Sequence, residues 1–111
     1  MATSEGLLEI TDDNFAEAVQ GSEGLTMVDF WATWCGPCRY VEPVVAALAG
    51  DYQEKGLRVG KLNVDENPAT AAQFNVTSIP RIMFFKGGKL VDTVIGAVPR
   101  PHLEEKILKH L

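Results

Sequence analysis

The sequence predicts an α/β fold built on a mixed sheet, and three observations lead to that class. Short apolar segments alternate with stretches of helical periodicity along the first part of the chain, and helices between strands imply parallel crossovers. Two more apolar segments flank Gly87 and Gly88, which indicates an antiparallel hairpin with a two-residue turn. Hydrophobic residues make up 46% of the 111 residues and charged residues 23%, so we expect a single globular domain over residues 1–111.

The first strand and helix are short. Residues 7–10 form a strand candidate, and Thr11 is placed to cap a helix with Asp12 and Asp13 in its first turn. Residues 25–31 then predict a second strand with little alternation between apolar and polar side chains. Such a strand is usually buried on both faces of a sheet.

The longest helical pattern follows Cys35. Its apolar positions recur at the spacing of one helix face. They are Cys38, Val41, Val45, Leu48, Ala49 and Tyr52. Pro43 lies inside the pattern and has no N–H to donate, so we expect a kink there, and Gly56 ends the helix.

The second half continues the alternation before the hairpin. Residues 57–64 predict a third strand, and Asn67 before Pro68 predicts the N-cap of a short helix. The hairpin strands are residues 81–86 and 89–95. A last helix follows two prolines. Its apolar face carries Leu103, Ile107, Leu108 and Leu111.

The only two cysteines, Cys35 and Cys38, stand at the predicted start of the long helix. Pro37 suits a first helical turn, which places Cys35 at or next to the N-cap. Unpaired backbone N–H groups and the positive end of the helix dipole favour a thiolate there. Cys38 falls on the apolar face, so we expect it to be more buried and less acidic. We interpret Cys35 as the nucleophile of thiol–disulfide exchange and Cys38 as the resolving cysteine, leaving a redox-active Cys35–Cys38 disulfide.

Two other interpretations of the cysteine pair are weaker. A zinc site normally needs about four ligands, and only His102 and His110 remain, both in the distant C-terminal helix, where we expect them at the surface. We therefore expect no metal. An inert structural pair would have no need of a helix N-terminus.

Charge and length exclude several classes of function. The net charge of −5 and the pI near 4.9 argue against electrostatic binding to nucleic acid or to an anionic membrane. No apolar run approaches the length of a membrane span. Residues 1–6 lack the pattern of a signal peptide, and two cysteines cannot form a disulfide framework. We therefore expect a cytoplasmic location, with an organellar one after removal of a transit peptide left open.

Several motifs occur in an order that resembles the thioredoxin family. Trp34-Cys35-Gly36-Pro37-Cys38 follows Val28-Asp29-Phe30-Trp31-Ala32. The later matches are Pro43, Lys61-Leu62-Asn63-Val64-Asp65, Ile79-Pro80 and Gly96. This resemblance, which extends from about Ile10 to the C-terminus, implies the thioredoxin fold, with a central mixed five-stranded β-sheet flanked by four α-helices.

The resemblance also implies a second wall of the site. The Ile79–Pro80 peptide bond would be cis and lie against the dithiol, and the backbone there would pair with an extended target segment. The groove would be lined by Trp34, Gly36, Pro37, Ile79, Pro80 and Gly96. Gly36 and Pro37 would also tune the redox potential, since oxidising relatives usually carry a histidine between the cysteines.

Asp29 lies within an apolar strand, where burial is costly and raises the pKa of a carboxyl group. The pattern alone leaves open a solvated position near the strand end. The matching family residue lies behind the second cysteine and exchanges its proton through water, so the resemblance implies that Asp29 is the general base for Cys38. Lys61 matches a family lysine that tunes this carboxylate, although the pattern alone predicts a solvated strand residue.

Arg81 departs from the family pattern, which usually has threonine after the cis proline. A cation at this position would lie close to a bound target. We therefore include Arg81 among the substrate-binding residues and expect it to favour acidic targets or to slow attack on basic ones.

The leading hypothesis is a general protein-disulfide reductase. It would be an electron carrier without a cofactor of its own, re-reduced by an NADPH-dependent thioredoxin reductase. The family implies targets such as ribonucleotide reductase, peroxiredoxins and methionine sulfoxide reductases, and we expect a monomer. The alternatives are a disulfide oxidase or isomerase on the same fold, and a non-catalytic binding subunit of a larger complex.

Overall fold

A computed structural model describes residues 6–111 and contains a mixed five-stranded sheet in the order β1-β3-β2-β4-β5. The strands are β1 (Leu8–Glu9), β2 (Leu25–Trp31), β3 (Arg58–Asn63), β4 (Arg81–Lys86) and β5 (Lys89–Ile95). The first three strands are parallel, whereas β4 runs antiparallel to both β2 and β5. The helix-linked strands and the hairpin are therefore arranged as the sequence predicts.

Helices cover both faces of the sheet. They are a π-helical segment (Ala16–Gln20), α1 (Gly36–Tyr52), α2 (Pro68–Gln73) and α3 (Arg100–His110), with a 3₁₀ turn (Gln53–Lys55) after α1. Side chains of α1 and α3 form one core cluster with Met27, Val59 and Phe84 of the sheet. The opposite cluster joins Val28 and Phe30 to the π-helical segment and to the chain after α2. The expected sheet and four flanking helices are confirmed.

Strand β2 is the centre of the molecule. Its first six residues are buried, because β3 and β4 flank its edges and helices cover its faces. This burial explains why its sequence lacks alternation. The strand ends at Trp31, only a few residues before the helix that carries the two cysteines.

Helix α1 follows its sequence pattern closely. The buried side chains are those of the predicted face, namely Cys38, Val41, Val45, Leu48, Ala49 and Tyr52. Cys35 is the N-cap residue, Pro43 lies inside the helix, and Gly56 has a left-handed φ of 99° after the 3₁₀ turn. That φ favours glycine because a β-carbon is strained there.

Two polar contacts and the exposure of one apolar side chain differ from the sequence predictions. Asp12 does not support its own helix, because its carboxylate accepts hydrogen bonds from the backbone N–H groups of Ala69 (3.1 Å) and Thr70 (2.8 Å) in α2. Asn67 makes no side-chain cap, and its Oδ1 accepts from the N–H of Asp12 at 2.9 Å. Leu108 is 58% exposed rather than part of the core.

His110 is a further correction. The sequence suggests a surface residue, but the ring is partly buried and its Nε2 lies 3.1 Å from Oδ2 of Asp92. Lys106 reaches the same carboxylate oxygen at 3.5 Å. These contacts tie the end of α3 to β5.

Candidate functional site

The two cysteines form a disulfide across the first turn of α1. Cys35 has extended backbone angles (φ −88°, ψ 106°), and its Sγ accepts a hydrogen bond from the N–H of Cys38 at 3.2 Å. The Cα atoms are 5.3 Å apart, within the usual range for a disulfide. The non-helical cap residue therefore brings the two sulfurs together at the positive end of the helix.

The expected difference in burial between the cysteines is wrong for this disulfide form. Cys35 is 3% exposed and Cys38 is 4% exposed. Both pack with Ala32, and Ile79 lies against the same cluster, because the bond to Cys38 draws the Cys35 sulfur onto the helix. The asymmetry lies in the surroundings, since Cys38 lines a cleft with Asp29, and Trp34 and Gly36 on either side of Cys35 are exposed.

The inner side of the site is the region behind Cys38, where Asp29 is buried. Asp29 is 1% exposed, and no group within residues 6–111 donates a hydrogen bond to either carboxylate oxygen. Burial raises its pKa to about 7, while the Lys61 cation lowers it and the Glu42 carboxylate raises it. An unpaired carboxylate in an apolar strand favours its protonated form because burial penalises the charge.

Lys61 lies at the entrance to this region. It is paired with Asp29 in the β2–β3 register, but its Nζ forms an ion pair with the Glu42 carboxylate and lies 4.4 Å from the centre of the Trp31 ring. A cleft of about 190 Å³ is lined by Asp29, Trp31, Ala32, Thr33, Cys38, Arg39, Glu42 and Lys61. This cleft brings together Asp29, Lys61 and the second cysteine.

The outer side of the site is the surface beside Cys35. Trp34 is 68% exposed, and its Nε1 donates a hydrogen bond to Oδ2 of Asp65 at 2.8 Å. The Ile79–Pro80 peptide bond is cis, as the resemblance implies, and the Pro80 carbonyl accepts from the N–H of Gly96 at 2.9 Å. An open cleft of about 440 Å³ is lined by Trp34, Val64, Val76, Thr77, Ser78 and Ile79.

Arg81 begins β4 at the edge of this outer side. Its Nη1 donates to the Asn75 carbonyl oxygen at 2.9 Å, and its Nη2 donates to Ser78 Oγ at 3.2 Å. Its Nε is buried and has no acceptor within residues 6–111. The guanidinium is therefore hydrogen-bonded to the loop before the cis proline.

Two residues at the site were not singled out from the sequence. Glu42 lies four residues after Cys38 in α1, so helical spacing alone places it one turn beyond the cysteine. Asp65 lies two residues after the end of β3, but its approach to Trp34 depends on the parallel crossover and has no local signal.

None of the helices within residues 6–111 combines the length and the apolar character needed to cross a bilayer. The longest helix within residues 6–111 is α1, with 17 residues.

Comparisons with known proteins agree with this geometry. The thioredoxin family model matches residues 6–109. The chain is 51% identical to a thioredoxin of Staphylococcus saprophyticus over 95% of this chain and 98% of the relative. It is 48% identical to thioredoxin 2 of Chlorobaculum tepidum, over 93% and 94% of the two chains, and 50% identical to thioredoxin 1 of a Nostoc species, over 93% and 95%.

The family match and the cysteine pair together define the activity. The chain carries out thiol–disulfide reduction, with disulfide-containing proteins as targets and a reductase that restores the dithiol, as the family implies. From its fold, its Cys35–Cys38 pair and these relatives, the chain belongs to the thioredoxin family.

Proposed function

We propose that the chain is a general protein-disulfide reductase in which Cys35 attacks and Cys38 resolves. The position of Cys35 as the N-cap of α1 is the observation that carries this assignment. A helix N-terminus stabilises a thiolate, and thioredoxins are themselves a standard example. Gly36 and Pro37, both exposed between the cysteines, leave the Cys35 side open to a target and tune the redox potential.

The first step is attack of the Cys35 thiolate on one sulfur of a target disulfide. A Cys35–target S–S bond forms, the target disulfide breaks, and the other target sulfur leaves as a thiolate that takes up a proton. The outer side binds the target here. Trp34, Ile79, Pro80 and Gly96 are its contact residues, and an extended target segment pairs with the backbone beside Pro80.

The second step needs a thiolate at Cys38. Asp29 accepts the Cys38 proton, either directly or through water in the inner cleft, and Cys38 then attacks the Cys35 sulfur. The mixed disulfide breaks, the second target thiolate leaves, and the target has gained two electrons. A carboxyl group with a pKa of about 7 suits this role, because it exchanges protons near neutral pH. Lys61 tunes Asp29 from the entrance of the cleft.

The chain itself supplies no reducing equivalents beyond the dithiol. We propose that an NADPH-dependent thioredoxin reductase returns two electrons to the Cys35–Cys38 disulfide. Ribonucleotide reductase, peroxiredoxins and methionine sulfoxide reductases are the target classes that the family suggests. We also propose that residues 1–111 form one domain that acts as a cytoplasmic monomer.

Insulin reduction tests the proposal. The wild type should reduce insulin with dithiothreitol, and also with NADPH and a thioredoxin reductase. Cys35→Ser should lose turnover completely, whereas Cys38→Ser should attack once and accumulate a mixed disulfide detectable by mass spectrometry. An inactive wild type with both reductants would overturn the reductase assignment, and trapping by Cys35→Ser instead would reverse the two cysteine roles.

A separate kinetic test addresses Asp29. Asp29→Asn should slow resolution of the mixed disulfide roughly 100-fold or more, as expected on loss of a general base, with a smaller effect on the first attack. Rapid-mixing experiments with a fluorescent disulfide peptide separate the two steps. Equal effects on both steps would remove the assigned role.

A further inference from the structure

We propose that Arg81 is a positioning residue that holds the loop 75–79 as a preformed wall of the target groove, and that it does not act as a free cation for acidic targets. This inference rests on the proposed binding of target segments along the outer side. It concerns the residue at which the chain departs from the usual family sequence.

The loop has a defined beginning. Helix α2 ends at Gln73, and Asn75 follows with a left-handed φ of 54°, a conformation that asparagine tolerates better than most residues. The N–H groups of Asn75 and Val76 still donate to the α2 carbonyls of Ala72 (3.1 Å) and Ala71 (2.9 Å). The Asn75 carbonyl instead accepts from Arg81.

Arg81 connects the two ends of the loop. One guanidinium nitrogen binds the Asn75 carbonyl at 2.9 Å and the other binds Ser78 Oγ at 3.2 Å. The planar fork of arginine suits two acceptors held side by side, whereas a lysine ammonium is a single point donor on a flexible stem. The side chain therefore links residues six and three positions before it and restrains the segment between them.

The Nε atom and the backbone of Arg81 are also held in place. Its Nε is buried without an acceptor among residues 6–111, an arrangement that costs free energy and is retained where other contacts compensate. Arg81 also belongs to β4 through its pairing with Phe30 and Ile95. The guanidinium thus fixes the position of the loop relative to the sheet.

The restrained segment forms one wall of the outer cleft. Val76, Thr77, Ser78 and Ile79 face Trp34 and Val64 across about 440 Å³. The aromatic contacts of Phe74 with Phe15 and Phe85, at centroid distances of 5.3 Å each, hold the chain just before this loop. A wall that is ordered in advance lowers the entropic cost of binding an extended target.

Substitution of Arg81 by lysine separates this role from an electrostatic one. We expect Arg81→Lys to raise KM for insulin about 3- to 10-fold with kcat unchanged, because the charge remains but the two-point restraint is lost. Ser78→Ala, which removes one of the two contacts, should raise KM in the same direction by less. Arg58→Lys is the matched control, since Arg58 also donates to a backbone carbonyl, that of Ala18 in the π-helical segment at 3.0 Å, outside the site.

Three further readouts make the test decisive. The rate with neutral hydroxyethyl disulfide should be unchanged in Arg81→Lys, since so small a substrate does not need the wall. The KM ratio should be the same at about 0.05 and 0.5 M salt, because a structural restraint is not screened as a surface charge is. Amide hydrogen exchange of residues 76–79 should be faster in Arg81→Lys and unchanged in Arg58→Lys.

A wild-type KM or wild-type exchange rates in Arg81→Lys would overturn the inference, as would a changed rate with hydroxyethyl disulfide. A ratio of the two insulin KM values that changes with salt would restore the electrostatic role. The exchange measurement does not need activity. A wild type that fails to reduce insulin would therefore count against the proposed function. The exchange rates of residues 76–79 would still test the role of Arg81.

Discussion

The two sides of the Cys35–Cys38 disulfide differ in almost every physical respect. The inner side, behind Cys38, holds a buried carboxylate with no hydrogen-bond partner among residues 6–111 and an ion pair within a cleft of about 190 Å³. The outer side, beside Cys35, presents an exposed indole and a loop around a wider open cleft of about 440 Å³. One side is suited to proton transfer and the other to contact with a polypeptide.

This separation explains how one short motif serves two functions. Cys35 and Cys38 are three positions apart, so the first turn of α1 directs one cysteine towards each side. Substitutions on the inner side should then change pH dependence, and substitutions on the outer side should change KM. A substitution on one side that changed the property of the other side would contradict this separation.

The largest expected effect is on stability and comes from Asp29→Asn. Asp29 has a folded-state pKa of about 7 against 3.8 in its unperturbed state, so the unfolded chain ionises first as pH rises. Below about pH 3.8 both states are protonated and no penalty exists; it grows as pH rises and is complete above about pH 7. Asparagine avoids this penalty, so the variant should be about 4 kcal/mol more stable than the wild type at high pH.

Denaturant unfolding of the oxidised protein at pH 5 and pH 9 measures this difference, which should be larger at pH 9. Thr26→Val is the control, because Thr26 is another buried polar residue of β2 without a side-chain partner in residues 6–111, and it does not titrate. A pH-independent gain in Asp29→Asn would mean that packing, rather than charge burial, explains the effect.

A smaller effect on the same side is expected from the ion pair at the cleft entrance. Glu42→Gln should lower the pKa of Asp29 below about 7, because a like charge is removed and the Lys61 cation is no longer neutralised. Lys61→Met should raise that pKa. Carbon-13 NMR titration of the Asp29 carboxyl group in the oxidised protein measures the direction of the pKa shift in each variant.

Glu105→Gln removes an exposed carboxylate from α3 and should leave this titration unchanged. If Glu42→Gln and Lys61→Met shifted the midpoint in the same direction, the proposed charge balance would be refuted. A change of insulin KM in either variant would show that the inner and outer sides are not independent.

The smallest effect should follow loss of the hydrogen bond between Trp34 and Asp65. This bond is exposed and 2.8 Å long, and such bonds contribute about 0.5–1.5 kcal/mol at most. Trp34→Phe should therefore raise the insulin KM only about 2- to 5-fold, with the Asp29 midpoint unchanged. Asp65→Asn, which keeps an acceptor oxygen, is the matched variant, and a KM increase as large as that of Trp34→Phe would show that the charge of Asp65 is what matters.

Features that depend on local chemistry were predictable from the sequence. Helical spacing identified the complete buried face of α1, and the Gly87–Gly88 pair identified the hairpin between β4 and β5. The apolar run around Asp29 indicated a strand buried on both faces, which the structure confirms. In each case the determining residues are neighbours in the chain, so their pattern carries the information.

Features that depend on distant contacts were not predictable. The N–H groups that donate to the Asp12 carboxylate lie more than fifty residues away in the sequence. The pairing of His110 with Asp92 requires α3 to lie along β5. Leu108 fits the helical period but faces away from the core because α3 packs on the sheet through Leu103 and Ile107. The equal burial of the cysteines reflects the oxidised state of the pair, and the sequence does not determine the redox state.

The exchange of hydrogen bonds between Asp12 and the start of α2 has a consequence for the order in which the molecule is assembled. The first N–H groups of α2 have their acceptor only after the segment following β1 has docked, and Asp12 in turn donates to Asn67. A contact across so long a stretch of chain forms late, because the entropy of closing the loop must first be overcome. The segment around Asp12 therefore stabilises the start of α2, so a chain break or fusion near Asp12 should loosen α2 and the loop 75–79 that follows it.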